Sequence, residues 1–161
     1  MHDKAILPEV HLPAREVDLD PLLAARLIEA ARAAAERAYA PFSNFPVGSA
    51  LIMADDPTGE IITGANVENS AYGETLCAER TALNYAVAKG YRKLALIALT
   101  TPKTRHSPLC DRSPCGACRQ VIHEFATPDT LVLIDTPSGI PEVLDLPRLL
   151  PHAFRIDPPV S

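Results

Sequence analysis

Three cysteines and one glutamate have the residue types and spacing of a metal site that activates water. Cys115 and Cys118 form a C-x-x-C pair, and Cys77 precedes Glu79 by two residues in an earlier segment. The C-x-x-C pair alone fits a redox dithiol, half of a structural zinc site, or two ligands of a catalytic metal. A third thiolate from Cys77 gives zinc three protein ligands and leaves its fourth position open for water.

Glu79 favours the catalytic interpretation of these cysteines. A carboxylate that stands beside a metal without ligating it can accept a proton from water and return it to a leaving group. This combination predicts hydrolysis. The competing interpretation is a closed structural zinc site in which Cys110 is the fourth ligand. Cys110 lies in a proline-rich loop, and a closed site would give Glu79 no role beside Cys77.

Length and charge narrow the class of substrate. The chain has 161 residues, of which 47% are hydrophobic and 22% charged, as expected for one globular domain. Its net charge of -5 disfavours binding to nucleic acid polymers, which depends on clustered lysine and arginine. No segment is typical of a signal peptide or a membrane span, so we expect a cytoplasmic protein with reduced thiols and a small-molecule substrate.

The pattern of apolar residues and helix signals predicts an α/β layered domain. Asp20 and Pro21 form a helix start, Thr75 is the expected N-cap of the helix that carries Cys77 and Glu79, and Gly90 is its expected stop. Residues 1–20 form an N-terminal lead, and residues 21–157 form one catalytic domain. The expected helices are 21–38, 76–89, 115–125 and 145–150, and the expected strands are 47–53, 60–64, 94–100 and 130–135.

Several motifs resemble those of the small cytidine deaminases. Cys77–Arg80 and Pro114–Gln120 match the zinc-binding motifs of that family, in which a glutamate that is not a ligand handles protons. Tyr39–Gly48, Asn66–Asn69 and Leu149–Phe154 are similar to its other signatures and follow in the same order. The resemblance implies a three-layer fold with a mixed sheet flanked by helices. It also implies one Zn²⁺ per subunit and a homotetramer whose active sites are shared between subunits.

The activity that this resemblance implies is the hydrolysis of cytidine and 2′-deoxycytidine to uridine and 2′-deoxyuridine with release of ammonia, a reaction of pyrimidine nucleoside salvage. Zinc would be held by Cys77, Cys115 and Cys118, and water activated there would attack C4 of the cytosine ring. Glu79 would carry protons to N3 and to the departing amine. Arg80 would donate hydrogen bonds to the sulfurs and offset their negative charge.

The resemblance also assigns roles at the substrate. Asn66 and Glu68 would bind the ribose hydroxyls, and Phe45 and Phe154 would stack on the base. The Ala78 backbone N–H would bind the cytosine carbonyl. Tyr72 would approach the 5′-hydroxyl across a subunit contact. Phe154 would reach the base from a neighbouring subunit. Without the family, Asn66 and Glu68 are more typical of a polar turn, and the two phenylalanines of core or interface packing.

The loop 103–113 is longer than we expect for the family and is predicted to bring Cys110 and His106 near the metal-binding helix.

Three other functions remain open. The first is deamination of a different aminated nucleoside, such as an aminonucleoside antibiotic, which the pair Asn66 and Glu68 disfavours. The second is editing of polynucleotides, which the acidic charge disfavours. The third is a structural zinc module closed by Cys110.

Overall fold

Five strands form one mixed sheet in the computed structural model, which describes residues 16–156. In chain order the strands are β1 (Gly48–Met53), β2 (Ile62–Ala65), β3 (Leu94–Thr100), β4 (Ala126–Ile134) and β5 (Glu142–Asp145). Their order across the sheet is β2-β1-β3-β4-β5. β3 and β4 run parallel, whereas the other three neighbouring pairs are antiparallel.

Helices cover both faces of the sheet and create three layers, as predicted. They are α1 (Pro21–Ala35), α2 (Ala78–Ala88), α3 (Gly116–Phe125) and α4 (Leu146–Leu149). α1 packs on one face, where Leu27 and Ile28 contact Ala50, Ala98 and Leu133. The alternate residues of the same strands point to the other face and pack with α2, α3 and α4, including Leu51, Ile97, Val132, Leu83, Ile122 and Leu146. The period-two alternation of the strands therefore separates two apolar cores.

The predicted elements are present, with shifted ends. Asp20 caps α1 through its side chain, and Pro21 is the first helical residue, both as expected. The expectation that Thr75 caps α2 is wrong: Cys77 is the N-cap, because Val67 and Leu76 pair backbone to backbone and hold the chain extended up to that point. Gly90, with φ 104, follows the last turn of α2. Strand β5 was not predicted.

Two glycines let helices approach the sheet closely. An added Cβ at Gly64 on β2 would lie 2.5 Å from the Ala78 carbonyl oxygen and from the Ala82 nitrogen, both in α2. An added Cβ at Gly48 on β1 would meet the backbone of α1 at Ala31. Real Cβ atoms do not approach backbone atoms so closely. Only glycine, which has no Cβ, therefore permits these short distances between the helices and the sheet.

Residues 16–19 of the predicted N-terminal lead are extended, and residues 1–15 lie outside the described part of the chain, as does position 157 of the predicted domain. Within residues 16–156, no helix has both the length and the apolar character needed to cross a lipid bilayer.

Candidate metal centre and cavity

The sulfur atoms of Cys77, Cys115 and Cys118 converge between the starts of α2 and α3. All three lie within 4.8 Å of one another, and the Cys77 and Cys115 sulfurs are 4.0 Å apart. Tetrahedral zinc with Zn–S bonds of about 2.3 Å would place its sulfur ligands roughly 3.8 Å apart. The cluster therefore fits zinc with only small adjustments of the side chains.

Helix starts favour thiolates at this cluster. Cys77 is the N-cap of α2 and Cys115 the N-cap of α3, where the Cys118 N–H points at the Cys115 sulfur from 3.5 Å. The unpaired amide groups at a helix N-terminus stabilise negative charge. The nearby Cys118 and Arg80 lower the pKa of Cys77, whereas the proximity of Cys77 raises the pKa of Cys118. A cation bound between the sulfurs would replace the protons of the thiols.

Glu79 is the buried acid of the site. Its side chain is in the first turn of α2, and the residue is only 4% exposed. Burial raises the pKa of Glu79 to about 7, and the negative charge of Cys77 acts in the same direction. Such a carboxyl group can both take up and release a proton near neutral pH, which is what a general acid and base requires.

Arg80 lies next to the cluster on α2. One of its terminal nitrogens is 3.7 Å from the Cys77 sulfur and 2.9 Å from the Thr75 carbonyl oxygen. The hydrogen bond to Cys77 raises the pKa of Arg80 above its ordinary value. The guanidinium group is therefore placed where it can offset negative charge on the Cys77 sulfur.

A cavity of about 370 Å³ opens onto Cys77, Cys115 and Glu79. Three residues predicted to bind substrate also line it: Phe45, Asn66 and Glu68. No lysine or arginine belongs to the lining in the described part of the chain, whereas three carboxylates do. The remaining lining residues are Ser43, Val47, Thr75, Leu99, Thr101, Asp111 and Ser113.

Asn66 holds the backbone beside the cavity. Its side-chain oxygen accepts from the Val47 N–H at 2.8 Å, and its amide nitrogen donates to the Phe45 carbonyl oxygen at 2.9 Å. This bracing agrees with the interpretation as part of a structured turn. An amide group carries a second N–H and a second lone pair, so one donor and one acceptor site stay available for a ligand.

Glu68 holds the loop residues Phe42 and Ser43 beside the cavity. Its Oε2 atom accepts from the backbone N–H groups of Phe42 at 2.8 Å and Ser43 at 3.3 Å. The Ser43 hydroxyl and these amide groups hold the pKa of Glu68 below its ordinary value. Glu68 is therefore a carboxylate at neutral pH, and its Oε1 atom can accept from a hydroxyl group of a ligand.

Three further predicted residues differ in their relation to the cavity. Ala78 is the first residue of α2 and is fully buried, so its N–H is one of those for which the helix offers no acceptor. Tyr72 is 74% exposed and contacts Phe42 edge to face, with ring centroids 5.6 Å apart. Phe154 is 70% exposed and does not line the cavity of its own chain. Its ring is therefore available to another molecule.

The loop 103–113 contributes differently from what the sequence predicted. Cys110 and His106 are exposed and do not line the cavity, and Cys110 is not part of the sulfur cluster. The cluster therefore stays open, as a catalytic site requires. Asp111 and Ser113 from the same loop do line the cavity, and the sequence analysis missed them. The position of Ser113, two residues before Cys115, was the available signal.

A known protein family matches the segment that contains this site. The model of the family described as "Cytidine and deoxycytidylate deaminase zinc-binding region" matches residues 23–134. This range includes all three clustered cysteines and Glu79. The match therefore covers most of the sheet together with both helix starts that form the metal centre.

Relatives with known names are similar over most of their length. A cytidine deaminase from Halalkalibacterium halodurans is 45% identical over 131 residues, covering 81% of this chain and 93% of the relative. The crystal structure of cytidine deaminase from Burkholderia pseudomallei is 48% identical with a TM-score of 0.70, covering 80% of this chain and 97% of that one. The structure of cytidine deaminase from Mycobacterium tuberculosis is 37% identical with a TM-score of 0.67, covering 86% and 100% respectively.

Proposed function

Because this chain belongs to the cytidine and deoxycytidylate deaminase family, we propose that it hydrolyses cytidine and 2′-deoxycytidine to uridine and 2′-deoxyuridine with release of ammonia. It is a zinc hydrolase that acts on the C–N bond of a cyclic amidine, in the salvage of pyrimidine nucleosides. The observation that carries the proposal is the buried Glu79 beside an open cluster of three thiols in one cavity.

Cys77, Cys115 and Cys118 would hold one zinc ion per subunit, and their sulfur spacing supports this assignment. Bound zinc supplies the Lewis acidity that makes water a nucleophile near neutral pH. The helix N-termini and Arg80 would stabilise the thiolates that remain when zinc replaces the protons of the three thiols.

Glu79 would carry the protons of the reaction. Its carboxylate would take one proton of the attacking water and pass it to N3 of the cytosine ring. It would then take the proton of the hydroxyl group now on C4 and pass it to the amine, which leaves as ammonia while the C4 carbonyl group forms. The pKa of about 7 supports both halves of this cycle, because neither protonation state is strongly disfavoured at neutral pH. Burial of Glu79 also keeps bulk water away from the transferred proton.

The cavity would orient a nucleoside by its sugar and its base. Asn66 and Glu68 would bind the ribose hydroxyls through the donor and acceptor atoms that their backbone contacts leave available. Phe45 would stack on the base, and the Ala78 N–H would bind the cytosine carbonyl. The acidic lining without lysine or arginine favours a neutral nucleoside over a polynucleotide.

The functional unit would be a homotetramer in which neighbouring subunits complete each active site. The exposed rings of Tyr72 and Phe154 support this, because neither is buried within its own chain. Tyr72 would approach the 5′-hydroxyl across a subunit contact, and Phe154 would cover the base of a neighbour. Residues 21–157 would form the catalytic domain, with residues 1–20 as a lead. We place the enzyme in the cytoplasm, where thiols that bind metal stay reduced.

The test is turnover of cytidine and 2′-deoxycytidine by purified protein, followed as ammonia release and as the ultraviolet change to uridine. Glu79→Gln should keep zinc, measured by elemental analysis, and lose activity by about 10²-fold to 10⁴-fold, the range for removing a general acid and base. Glu29→Gln on the exposed side of α1 is the matched control and should behave like the parent protein. Zinc-loaded protein that turns over neither nucleoside would refute the proposal.

A further inference from the structure

The C-terminal segment 150–156 is attached to α3 at Phe154, the residue proposed to complete the active site of a neighbour. The Gln120 side-chain nitrogen donates a hydrogen bond to the Phe154 carbonyl oxygen at 2.8 Å. Because the bond uses the backbone of Phe154, it fixes the position of the residue while leaving the ring 70% exposed.

The same helix also holds the start of this segment. Arg119 donates to the Leu149 carbonyl oxygen at 3.0 Å and to the Pro114 carbonyl oxygen at 2.8 Å. Leu149 is buried in the core, and His152 turns the chain with φ 54 between the two attachment points. Consecutive side chains of α3 therefore hold both ends of a short bend, with His152 at the turn and Phe154 at the second end.

We propose that Gln120 is a positioning residue that fixes Phe154 for the active site of a neighbouring subunit, which rests on the shared-site part of the proposed function. Gln120 lies two residues after Cys118 in the same helix. One helix therefore supplies ligands to its own metal centre and aims an aromatic ring at another one.

Holding Phe154 in place before the ligand arrives reduces the conformational entropy that the segment 150–156 loses on binding. A freely moving tail loses backbone and side-chain freedom when its ring closes over a bound ligand, and this loss weakens binding. A hydrogen bond formed before the ligand arrives removes part of that loss. Gln120 should therefore affect substrate affinity, and the chemical step should depend on it little.

Gln120→Met removes the donor and keeps the length of the side chain. We expect KM for cytidine to rise about threefold to tenfold, the range for one lost hydrogen bond, with kcat and zinc content close to those of the parent protein. Glu124→Met is the matched control, because Glu124 lies one turn further along the same helix and is exposed. A change in kcat or zinc content with unchanged KM would overturn the proposal.

Mixed oligomers separate an effect on a neighbour from an effect within the same subunit. Gln120→Met chains are co-expressed with Glu79→Gln chains under two affinity tags, and the mixed species are purified. The Glu79→Gln chains are inactive but carry an intact Gln120 and Phe154. In a mixed oligomer they supply Phe154 to the active sites of the Gln120→Met chains, so KM at those sites should return towards the parent value. An unchanged, raised KM would mean that Gln120 acts through Cys118 on its own helix, and would overturn the proposal.

Phe154→Ala distinguishes failure of the anchor from failure of the shared site. If Gln120 acts through Phe154, the double variant should have the KM of Phe154→Ala alone, since effects on one chain of contacts do not add. If Phe154→Ala raises KM and Gln120→Met raises it further by its own full factor, Gln120 does not act through Phe154. The proposed role of Phe154 in a shared site would then be retained. If Phe154→Ala leaves KM unchanged, both are wrong, while turnover of cytidine still decides the proposed reaction.

Discussion

Arg80 places a permanent positive charge beside a cluster that would carry three negative charges as thiolates. Three thiolates and one zinc ion sum to a net negative centre, which weakens the pull of the metal on its water. The Arg80 nitrogen 3.7 Å from the Cys77 sulfur draws electron density away from that sulfur. Its second bond, to the Thr75 carbonyl, fixes the guanidinium group in place.

Arg80→Ala should therefore lower kcat by about 10-fold to 100-fold, the usual effect of losing a partner of a metal ligand. Arg80→Lys should recover part of the lost kcat, because lysine restores the positive charge. Recovery should be incomplete, because lysine lacks the planar guanidinium group. Steady-state kinetics with zinc content measured on the same samples checks this. Arg37→Ala, at an exposed position after α1, is the control, and parent-like kcat in Arg80→Ala would contradict the role.

At the scale of elements, the distance between α2 and the sheet decides where Cys77 and Glu79 lie. Gly64 on β2 permits that distance, since an added methyl group would meet the backbone of α2 at Ala78 and Ala82. Gly48 performs the same function for α1 on the opposite face. Gly48 and Gly64 thus make equivalent contacts, but only Gly64 contacts the helix that starts at Cys77, a member of the sulfur cluster.

Gly64→Ala and Gly48→Ala should both lower the melting temperature, because each forces a helix away from the sheet. Only Gly64→Ala should also speed the loss of zinc to a chelator and lower kcat, since α2 moves with Cys77 and Glu79. Thermal unfolding, chelator kinetics and turnover on the same preparations separate the two effects. Equal zinc loss from both variants would mean that general destabilisation, and not the position of α2, controls the metal centre.

Asp135, at the end of β4, joins three other elements. Arg32 of α1 binds both of its carboxylate oxygens at 2.6 and 2.9 Å, Thr100 of β3 donates at 2.7 Å, and Arg105 of the long loop lies 3.1 Å away. Burial alone would raise the pKa of Asp135, but these partners outweigh burial and hold the pKa below its ordinary value. The carboxylate therefore fastens the loop that lines the cavity.

Asp135→Asn should reduce the free energy of unfolding at pH 7 by about 3 kcal/mol, the cost of breaking a buried ion pair. A lowered pKa in the folded state stabilises the protein above the unfolded value of about 4, and this gain is lost as pH falls through the folded value. The difference between the two proteins should therefore shrink below pH 4. Urea unfolding at pH 7 and pH 3, with Asp18→Asn as an exposed control, tests this. A difference that is independent of pH would contradict it.

The sequence predicted elements that have a regular period or a clear end signal. Asp20 with Pro21, and Gly90, marked helix ends correctly. Strand β5 was not predicted, because it has only four residues, lies at the edge of the sheet and shows no clear alternation of apolar and polar residues. Thr75 was a false cap, because pairing between Val67 and Leu76 is a contact between distant segments that helix signals do not reveal.

The metal centre was predictable because spacing along a chain restricts where thiols can meet. Cys115 and Cys118 are one helical turn apart, and Cys77 with Glu79 begins another helix. The loop residues at the cavity were not predictable, since Asp111 and Ser113 follow no period and their positions depend on tertiary contacts. The Asp135 contacts depend on residues up to 103 positions apart, which no local pattern encodes.

At the scale of the whole molecule, two aromatic rings are exposed in a pocket that shares Ser43, Glu68 and Thr75 with the metal cavity. Tyr72 is 74% exposed and Phe42 is 50% exposed, and the two rings contact each other beside Glu68. Aromatic side chains are enriched where subunits meet, because they bury a large apolar area at a low cost in entropy. The exposure of this pair therefore supports the proposed subunit contact.

Tyr72→Asp should weaken assembly by at least about tenfold, because it places an unpaired charge where an aromatic ring would be buried. Light scattering should show smaller species on dilution, and specific activity should fall with them, because each isolated subunit would lack the Phe154 of its neighbour. Ile140→Asp is the matched control: Ile140 is 76% exposed but lies between β4 and β5, away from this cavity. If Tyr72→Asp keeps the mass of the parent protein on dilution and Ile140→Asp does not, the subunit contact lies on the β5 side of the sheet.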